Sequence, residues 1–426
     1  MYGQPNGVYV AQFKILPMKK LVLCYLLGIL IIPIAERIIF GQLRGGLHPG
    51  VFIHTGVLAL LIVNFHATRI KKNTISYMIF GFTLVYAINL LVVETLLFPS
   101  LSSIPSIVFS LKNFLLLHLS YYIYINANYF LKYLDRIMLV NVCVILANII
   151  IGYYFQIGWQ SYGAVGLADS YRGFLAGNDT SIFAFIAFGY TLFSFSVTNT
   201  RGKNILIAIL FVLSVCSMVI IATKAIFVAA IIMAFYVLDR RVTFRKVSLI
   251  GALCLIIAVF FLKGSLEDRM MGNYISQLNQ NTKLLETFSV LPSSISWISV
   301  IAPGRILIGL MLIYQQISDS WITLLFGYGV AGIYEAFGRP PMMHIFSVMG
   351  HYGLFGFLVF YFPQLILALR VLKKRVFTRT NVLFLSVFIY GSLGGFVYGN
   401  ASTSVMFALL FSLTFYQSQY GRLEEF

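Results

Sequence analysis

Long apolar runs separated by short polar stretches set the layout of this chain. They fall at 21–36, 50–65, 76–98, 105–126, 137–156, 181–197, 205–221, 225–238, 247–263, 343–369, 382–397 and 401–417. Most approach the ~20 residues that cover ~30 Å of hydrocarbon as a helix. The pattern predicts an all-α, polytopic membrane protein of about twelve transmembrane helices. Helices are required because backbone groups in lipid must pair within their own segment. The alternating segments of a membrane barrel are absent from the sequence.

Two stretches depart from the rhythm. Residues 205–238 are apolar throughout except at Ala222-Thr223-Lys224, where the alternation of sides calls for a tight reversal. Residues 264–342 form the one long hydrophilic stretch, read as a loop within a single 1–426 domain. That loop contains Trp297 and the run Ile306–Tyr314, which suit amphipathic helices on the membrane surface or against the bundle.

Charge gives the layout a direction. Twenty of the thirty Lys and Arg fall in alternate loops, at 14–20, 69–72, 132–136, 201–203, 240–246, 370–379 and 422. Lys and Arg stay on the cytoplasmic side of a spanning chain, so both termini are expected inside. Lys112 lies within a span, and nine cations fall on the opposite face: Arg37, Arg44, Arg172, Lys224, Lys263, Arg269, Lys283, Arg305 and Arg339. Arg37, Arg44, Lys263, Arg269 and Lys283 have ordinary interfacial explanations.

Composition narrows the class. Hydrophobic residues make up 60% and charged residues 10%, with a mean hydropathy of +0.90. Soluble domains carry about 25% charged residues, so lipid is the solvent for most of this surface. The net charge of +17 lies in short clusters at span ends, which argues against nucleic acid and for anionic lipid headgroups. Cys24, Cys143, Cys216 and Cys254 all lie in apolar segments and read as buried small hydrophobes. Residues 21–35 follow Lys19 and Lys20 and read as an uncleaved first helix, since Ile34-Ala35-Glu36 is a poor cleavage site.

The polar residues that topology leaves over are candidates for chemistry. Arg172 opens the segment Arg172-Gly173-Phe174-Leu175-Ala176-Gly177-Asn178-Asp179 before the sixth span. There Gly173 and Gly177 permit tight turns, and Asn178 or Asp179 suits a helix cap. Arg305 follows Ala302-Pro303-Gly304, and Phe326-Gly327-Tyr328-Gly329, Arg339 and His344 come next. Four cations and one titratable group on one face beside lipid suit a phosphorylated lipid, because the Arg fork donates in pairs to phosphate. The bland alternatives are snorkelling to headgroups for the cations and a structural hydrogen bond for the His. Glu94 and Lys112 lie in the outer halves of neighbouring spans and read as a structural pair, with Glu94 as a base the alternative. No metal-ligand spacing, nucleotide loop or HExxH occurs.

The order of these motifs resembles bacterial O-antigen polymerases and ligases. Arg172-Gly173…Gly177-Asn178 is similar to their Arg-Gly…Gly-Asn box. Ala222-Thr223-Lys224-Ala225 is similar to their break between two spans. Gly304-Arg305, Phe326–Gly329, His344 and Gly353-x-x-Gly356 look like their large periplasmic loop and the helix after it. The likeness covers about 170–360 in order. It departs at Lys224, where the family carries Arg, and at Ile345, where Asn commonly follows the His; His351 is a substitute for His344.

The resemblance implies a GT-C-like bundle in the bacterial inner membrane with a periplasmic active face. Its implied reaction is metal-independent glycosyl transfer without a cofactor, from undecaprenyl-pyrophosphate-linked oligosaccharide to a sugar hydroxyl. Arg172, Lys224 and Arg305 would bind pyrophosphate, with Arg339 a weaker addition and His344 the base. Tyr328, Trp297 and Trp321 would stack on sugars or anchor at the interface. A polymerase is the favoured reading, with a chain-length regulator protein as a candidate partner. The ligase onto lipopolysaccharide core is the alternative, and a flippase for lipid-linked sugars the third.

Overall fold

The computed structural model describes residues 18–40, 49–68, 70–97, 103–158, 160–161, 170–171, 173–175, 177–195, 201–221, 232, 305–329, 332–333, 343–374, 377–393 and 400–420. These residues are almost wholly helical, apart from a two-residue antiparallel ladder of β1 (Gln160–Ser161) and β2 (Ser170–Tyr171). Four helical stretches, 49–67, 74–93, 127–155 and 344–374, are long and apolar enough to cross a membrane. A bent pair makes a fifth, and residues 179–194 and 205–218 form shorter apolar helices. The chain is thus an all-α protein with several candidate membrane spans. The expected spans at 225–238 and 247–263 lie outside the described residues, apart from helical Ile232, as does the expected reversal at Lys224.

The bent pair is α1 (Met18–Gly28) with α2 (Ile31–Phe40), which meet at 59° where an unbroken first helix was expected. Pro33 has no N–H and its ring crowds the carbonyl of Ile29, four residues back. The break leaves carbonyls to which side chains of other helices donate. Ser402 Oγ donates to the Ile29 carbonyl at 3.4 Å, and Asn141 Nδ2 to that of Leu26 at 3.0 Å.

Next come α3 (Pro49–Ala67) and α4 (Thr74–Ile88). Asn73 starts α4 with a reciprocal cap, its side chain accepting from Ser76 N while Asn73 N donates to Ser76 Oγ. The helix then widens into a π turn over Asn89–Leu97. α5 (Ser103–Ile125) and α6 (Ala127–Phe155) follow. α6 starts ten residues before the expected 137, because Lys132 and Arg136 sit on its exposed side and do not end the helix. α7 (Gly177–Phe195) and α8 (Arg201–Ile221) pack on each other and on α6.

After the undescribed stretch, α9 (Arg305–Asp319) and α10 (Trp321–Phe326) form a hairpin against α11 (His344–Gly356). A π turn at Phe357–Tyr361 joins α11 to α12 (Phe362–Lys374). The bundle closes with α13 (Arg379–Leu393) and α14 (Ala401–Tyr420). α14 is the central post. Its residues Ser402–Phe415 are all buried, and it packs on α5, α6, α7, α12 and α13. Phe407, Phe411 and Phe415 stack along it, and Phe384 of α13 joins them. Cys24 and Cys143 are exposed on their helices, a correction to their expected burial. In an apolar span such a surface faces lipid.

The helices run up and down, so the alternation read from charge becomes a physical end. Lys19, Lys20, Lys71, Lys72, Lys132, Arg136, Lys373 and Lys374 are exposed there. Contacts tie the end together: Lys71 N donates to Tyr121 Oη at 2.8 Å, Lys374 Nζ to the Ser418 carbonyl at 3.1 Å, and Lys19 lies over the Tyr129 ring.

Candidate functional site

The opposite end holds its polar groups inside. Asp179, in the first turn of α7, is 8% exposed, where a carboxylate also complements the positive end of the helix. Asn400 Nδ2 donates to Asp179 Oδ1 at 2.9 Å, and Thr403 adds a second side-chain hydrogen bond. Lys112 of α5 and Arg37 of α2 both interact with this carboxylate electrostatically. Lys112 also acts on His54 of α3, whose Nδ1 lies 2.6 Å from Tyr25 Oη of α1. Glu36 completes the group. Its carboxylate lies so close to Gly50 that a Cβ there would sit 2.6 Å from Oε2. Ionised groups in an apolar bundle are costly unless paired, and they mark function by default.

α5 carries the polar layer across to α11. Ser110 Oγ and Asn113 Nδ2, flanking Lys112, each lie 3.0 Å from Tyr352 Oη. At Gly353 the backbone leaves helical geometry, with φ at +65° and ψ at −163°. The end of α10 fills that break. Gly327, also at positive φ, packs so tightly that a Cβ on it would lie 2.5 Å from the His351 carbonyl. A Cβ on Gly353 would lie 2.4 Å from the Leu325 carbonyl. Only glycine tolerates both the dihedral and the approach.

Side chains satisfy the backbone of this junction. Asn89, at the start of the π turn, donates to the Phe326 carbonyl at 2.6 Å and to that of His351 at 3.0 Å. Tyr328 N donates to the Gly350 carbonyl at 2.7 Å, and Gln316 Nε2 to the Met349 carbonyl at 3.0 Å. His351 Nδ1 lies 2.6 Å from the Ser347 carbonyl, an acceptor, so that nitrogen carries the proton. Irregular backbone at membrane depth occurs where protein or a cavity surrounds it, and π turns concentrate at working sites.

The expected site residues divide three ways. Arg172, Lys224 and Arg339 lie outside the described residues, as does Trp297. Arg305, Asn178 and Glu94 are placed by backbone: Arg305 opens α9, Asn178 lies in the first turn of α7, and Glu94 lies in the π turn. Gly309 of α9 packs on Phe346 while Leu312 meets Gly350, which sets the start of α9 toward the His344 end of α11. The remaining three are described in full. His344 is 1% exposed, with its ring against Gly391 of α13. His351 is also buried. Tyr328 is buried, so its ring offers no face for a sugar to stack on. Its hydroxyl donates to Asp319 Oδ2, and burial beside that carboxylate pushes the phenol above its ordinary value.

The turn before α7 explains Gly173. It sits at positive φ with the Asn148 carbonyl of α6 where a Cβ would go, and Asn148 Oδ1 accepts from Phe174 N at 2.9 Å. The same segment therefore delivers Asp179 to the buried layer. Sequence reading missed this grouping. It assigned Arg37 to the interface, took Asn178 or Asp179 as a cap, and read Lys112 as pairing with Glu94, whose side chain lies outside the described residues; the structure sets Arg37, Lys112 and Asp179 in one electrostatic group. The available signal was three ionisable residues in spans sharing one end. Among the described residues no group of three or more His, Cys, Asp and Glu could hold a metal ion. No family model matches the chain, and no curated protein matches it.

Proposed function

We propose that this protein is a membrane glycosyltransferase that polymerises a polysaccharide from lipid-linked repeat units at the periplasmic face. The observation that carries the reading is the buried polar layer at one end of an apolar bundle. Asp179, from the Arg-Gly…Asn-Asp segment, lies at its centre beside Lys112 and Arg37. The donor is a glycan on undecaprenyl pyrophosphate, and the acceptor is the terminal sugar hydroxyl of a second lipid-linked unit. The acceptor oxygen forms the new glycosidic bond as the anomeric carbon–phosphate bond breaks. The pyrophosphate leaves with the electron pair, and the acceptor proton passes to a base.

Arg172, Lys224 and Arg305 neutralise the leaving group, with Arg339 in support. His344 takes the proton, with His351 the alternative. Both rings are buried, so an acceptor displaces packing to reach either one. A transporter of lipid-linked sugars is less favoured, because among the described residues the charged groups lie toward the two ends of the bundle and do not line a path through it.

The test uses purified protein in vesicles supplied with undecaprenyl-pyrophosphate repeat units. A ladder of longer lipid-linked chains is expected. Transfer only after lipopolysaccharide core is added would identify a ligase, and translocation without bond formation would refute the enzyme reading. Arg172→Ala and Arg305→Ala should each abolish the ladder while leaving membrane insertion intact. Retained activity in both removes the cation site.

A further inference from the structure

The α9–α10 hairpin has two dissimilar faces, and only one is covered by the described residues. Gly309, Leu312, Gln316 and Thr323 are buried on the α11 side. Leu310, Tyr314 and Ile317, spaced four and three residues apart on one stripe of α9, are exposed, as are Trp321 and Ile322 of α10. A helix between protein and water would put polar residues on its outer face. Here Ser318, Asp319 and Ser320 supply polarity only at the turn of the hairpin.

The bonds to α4 and α11 fix the level at which the hairpin sits. Phe326, at its end, accepts from Asn89, which lies four residues short of the end of the candidate span Thr74–Val93. That is ~6 Å at the helical rise. His351 and Gly350, which meet the hairpin from the other side, lie seven and six residues inside the span His344–Lys374, or ~10 Å. That span holds 31 residues. At the regular α-helical rise, leaving aside the break at Gly353 and the π turn, 31 residues measure ~46 Å, ~16 Å more than the ~30 Å of hydrocarbon. Shared between the two ends, the excess puts the level of His351 at the hydrocarbon boundary. Tyr and Trp on an otherwise aliphatic face are the residues that settle at this depth. The exposed face also continues onto Leu354, Phe355 and Leu358 of the span itself.

We infer that the α9–α10 hairpin docks onto the bilayer, lying in the headgroup–acyl boundary with Tyr314, Ile317 and Trp321 among the lipids. Its occupant is bilayer lipid: of the two places open to the run Ile306–Tyr314 in the sequence, membrane surface or bundle, the hairpin takes both, one face to each. The anchor holds Gly327 and Tyr328 at the break in α11.

Trp321 is a built-in probe, since the chain has only two other tryptophans, Trp159 and Trp297. The full-length protein carrying Trp159→Phe and Trp297→Phe would be reconstituted in phosphatidylcholine–phosphatidylglycerol vesicles. Bromine would be placed near the ester end or near the middle of the acyl chains, and acrylamide would be added from water. Expected is a blue-shifted emission that loses most intensity to the shallow bromines and little to acrylamide. Strong acrylamide quenching without bromine quenching would overturn the inference in favour of an aqueous loop. Quenching mainly by the deep bromines would overturn the depth, and quenching by neither would show the face covered by protein. Should the double variant misfold, Trp321→Phe in the otherwise unaltered chain carries the same reading. Its removal should abolish much of the shallow-bromine quenching; unchanged quenching would overturn the inference.

Discussion

The two ends of this bundle are both charged, and they hold charge in opposite ways. At the basic end most described cations are exposed, and the half-buried Arg379 pairs, at 2.7 Å between Nη1 and Oδ1, with Asp135, a carboxylate that is 61% exposed. Arg379 is steadied by the Ser194 hydroxyl and the Tyr190 ring. Those charges can be traded for other surface charges with little effect on packing, because water and headgroups solvate them. At the other end Asp179, Lys112 and Arg37 come from three separate helices and share one interior. Asp179 is held by Asn400 and Thr403 and lies in the field of both cations. Topology accounts for the first set; the second has a cost that topology does not repay.

The sharpest way to break this comparison is to remove the acid at each end. Asp179→Ala removes the buried carboxylate that both Lys112 and Arg37 sense, leaving Glu36 beside Arg37, and should cost ~3–5 kcal/mol, read as a large drop in thermal unfolding temperature in detergent. Asp135→Ala is the control and belongs at the bottom of the scale, at ~0–1 kcal/mol. Equal losses would mean that the two ends do not differ as described. Next in size is Gly353→Ala, which forces a side chain into a left-handed dihedral and against the Leu325 carbonyl; ~1–3 kcal/mol is expected in the same assay. Asn89→Ala removes two donated bonds and leaves the Phe326 and His351 carbonyls to find other donors, at ~1–2 kcal/mol. Hydrogen exchange at Gly327 and Tyr328 should rise in that variant while exchange in α14 stays slow.

Helix placement was largely legible in the sequence, since apolar length and basic loops follow directly from the bilayer. Ten of the twelve expected runs coincide with described helices, and the basic loops that the structure describes lie at one end. What depends on pairing between distant elements was not legible. Lys112 has Glu94 as its nearest acid along the sequence of spans, yet α7 brings Asp179 into its field. The glycines of α11 read as helix packing, although Gly353 is a break that receives the α10 turn. Tyr328 read as a sugar platform because composition shows an aromatic in a loop and cannot show that its ring is enclosed. The turn at Gly173 was the exception, because a glycine beside a cation and before a span already signals a tight reversal.

The buried post α14 also bears on how the molecule is made. Every other helix described here precedes it in the chain, and so leaves the ribosome and enters the membrane earlier. Until α14 arrives, α5 and α13 have no partner for the faces that it covers, and the Ile29 carbonyl has no donor in Ser402. The half-built protein must therefore wait in the bilayer with an open centre, shielded by lipid or by an insertion chaperone. Packing of the described helices is completed from the last of them inward, and lesions in α14 should be read by cellular quality control as failures of the whole bundle.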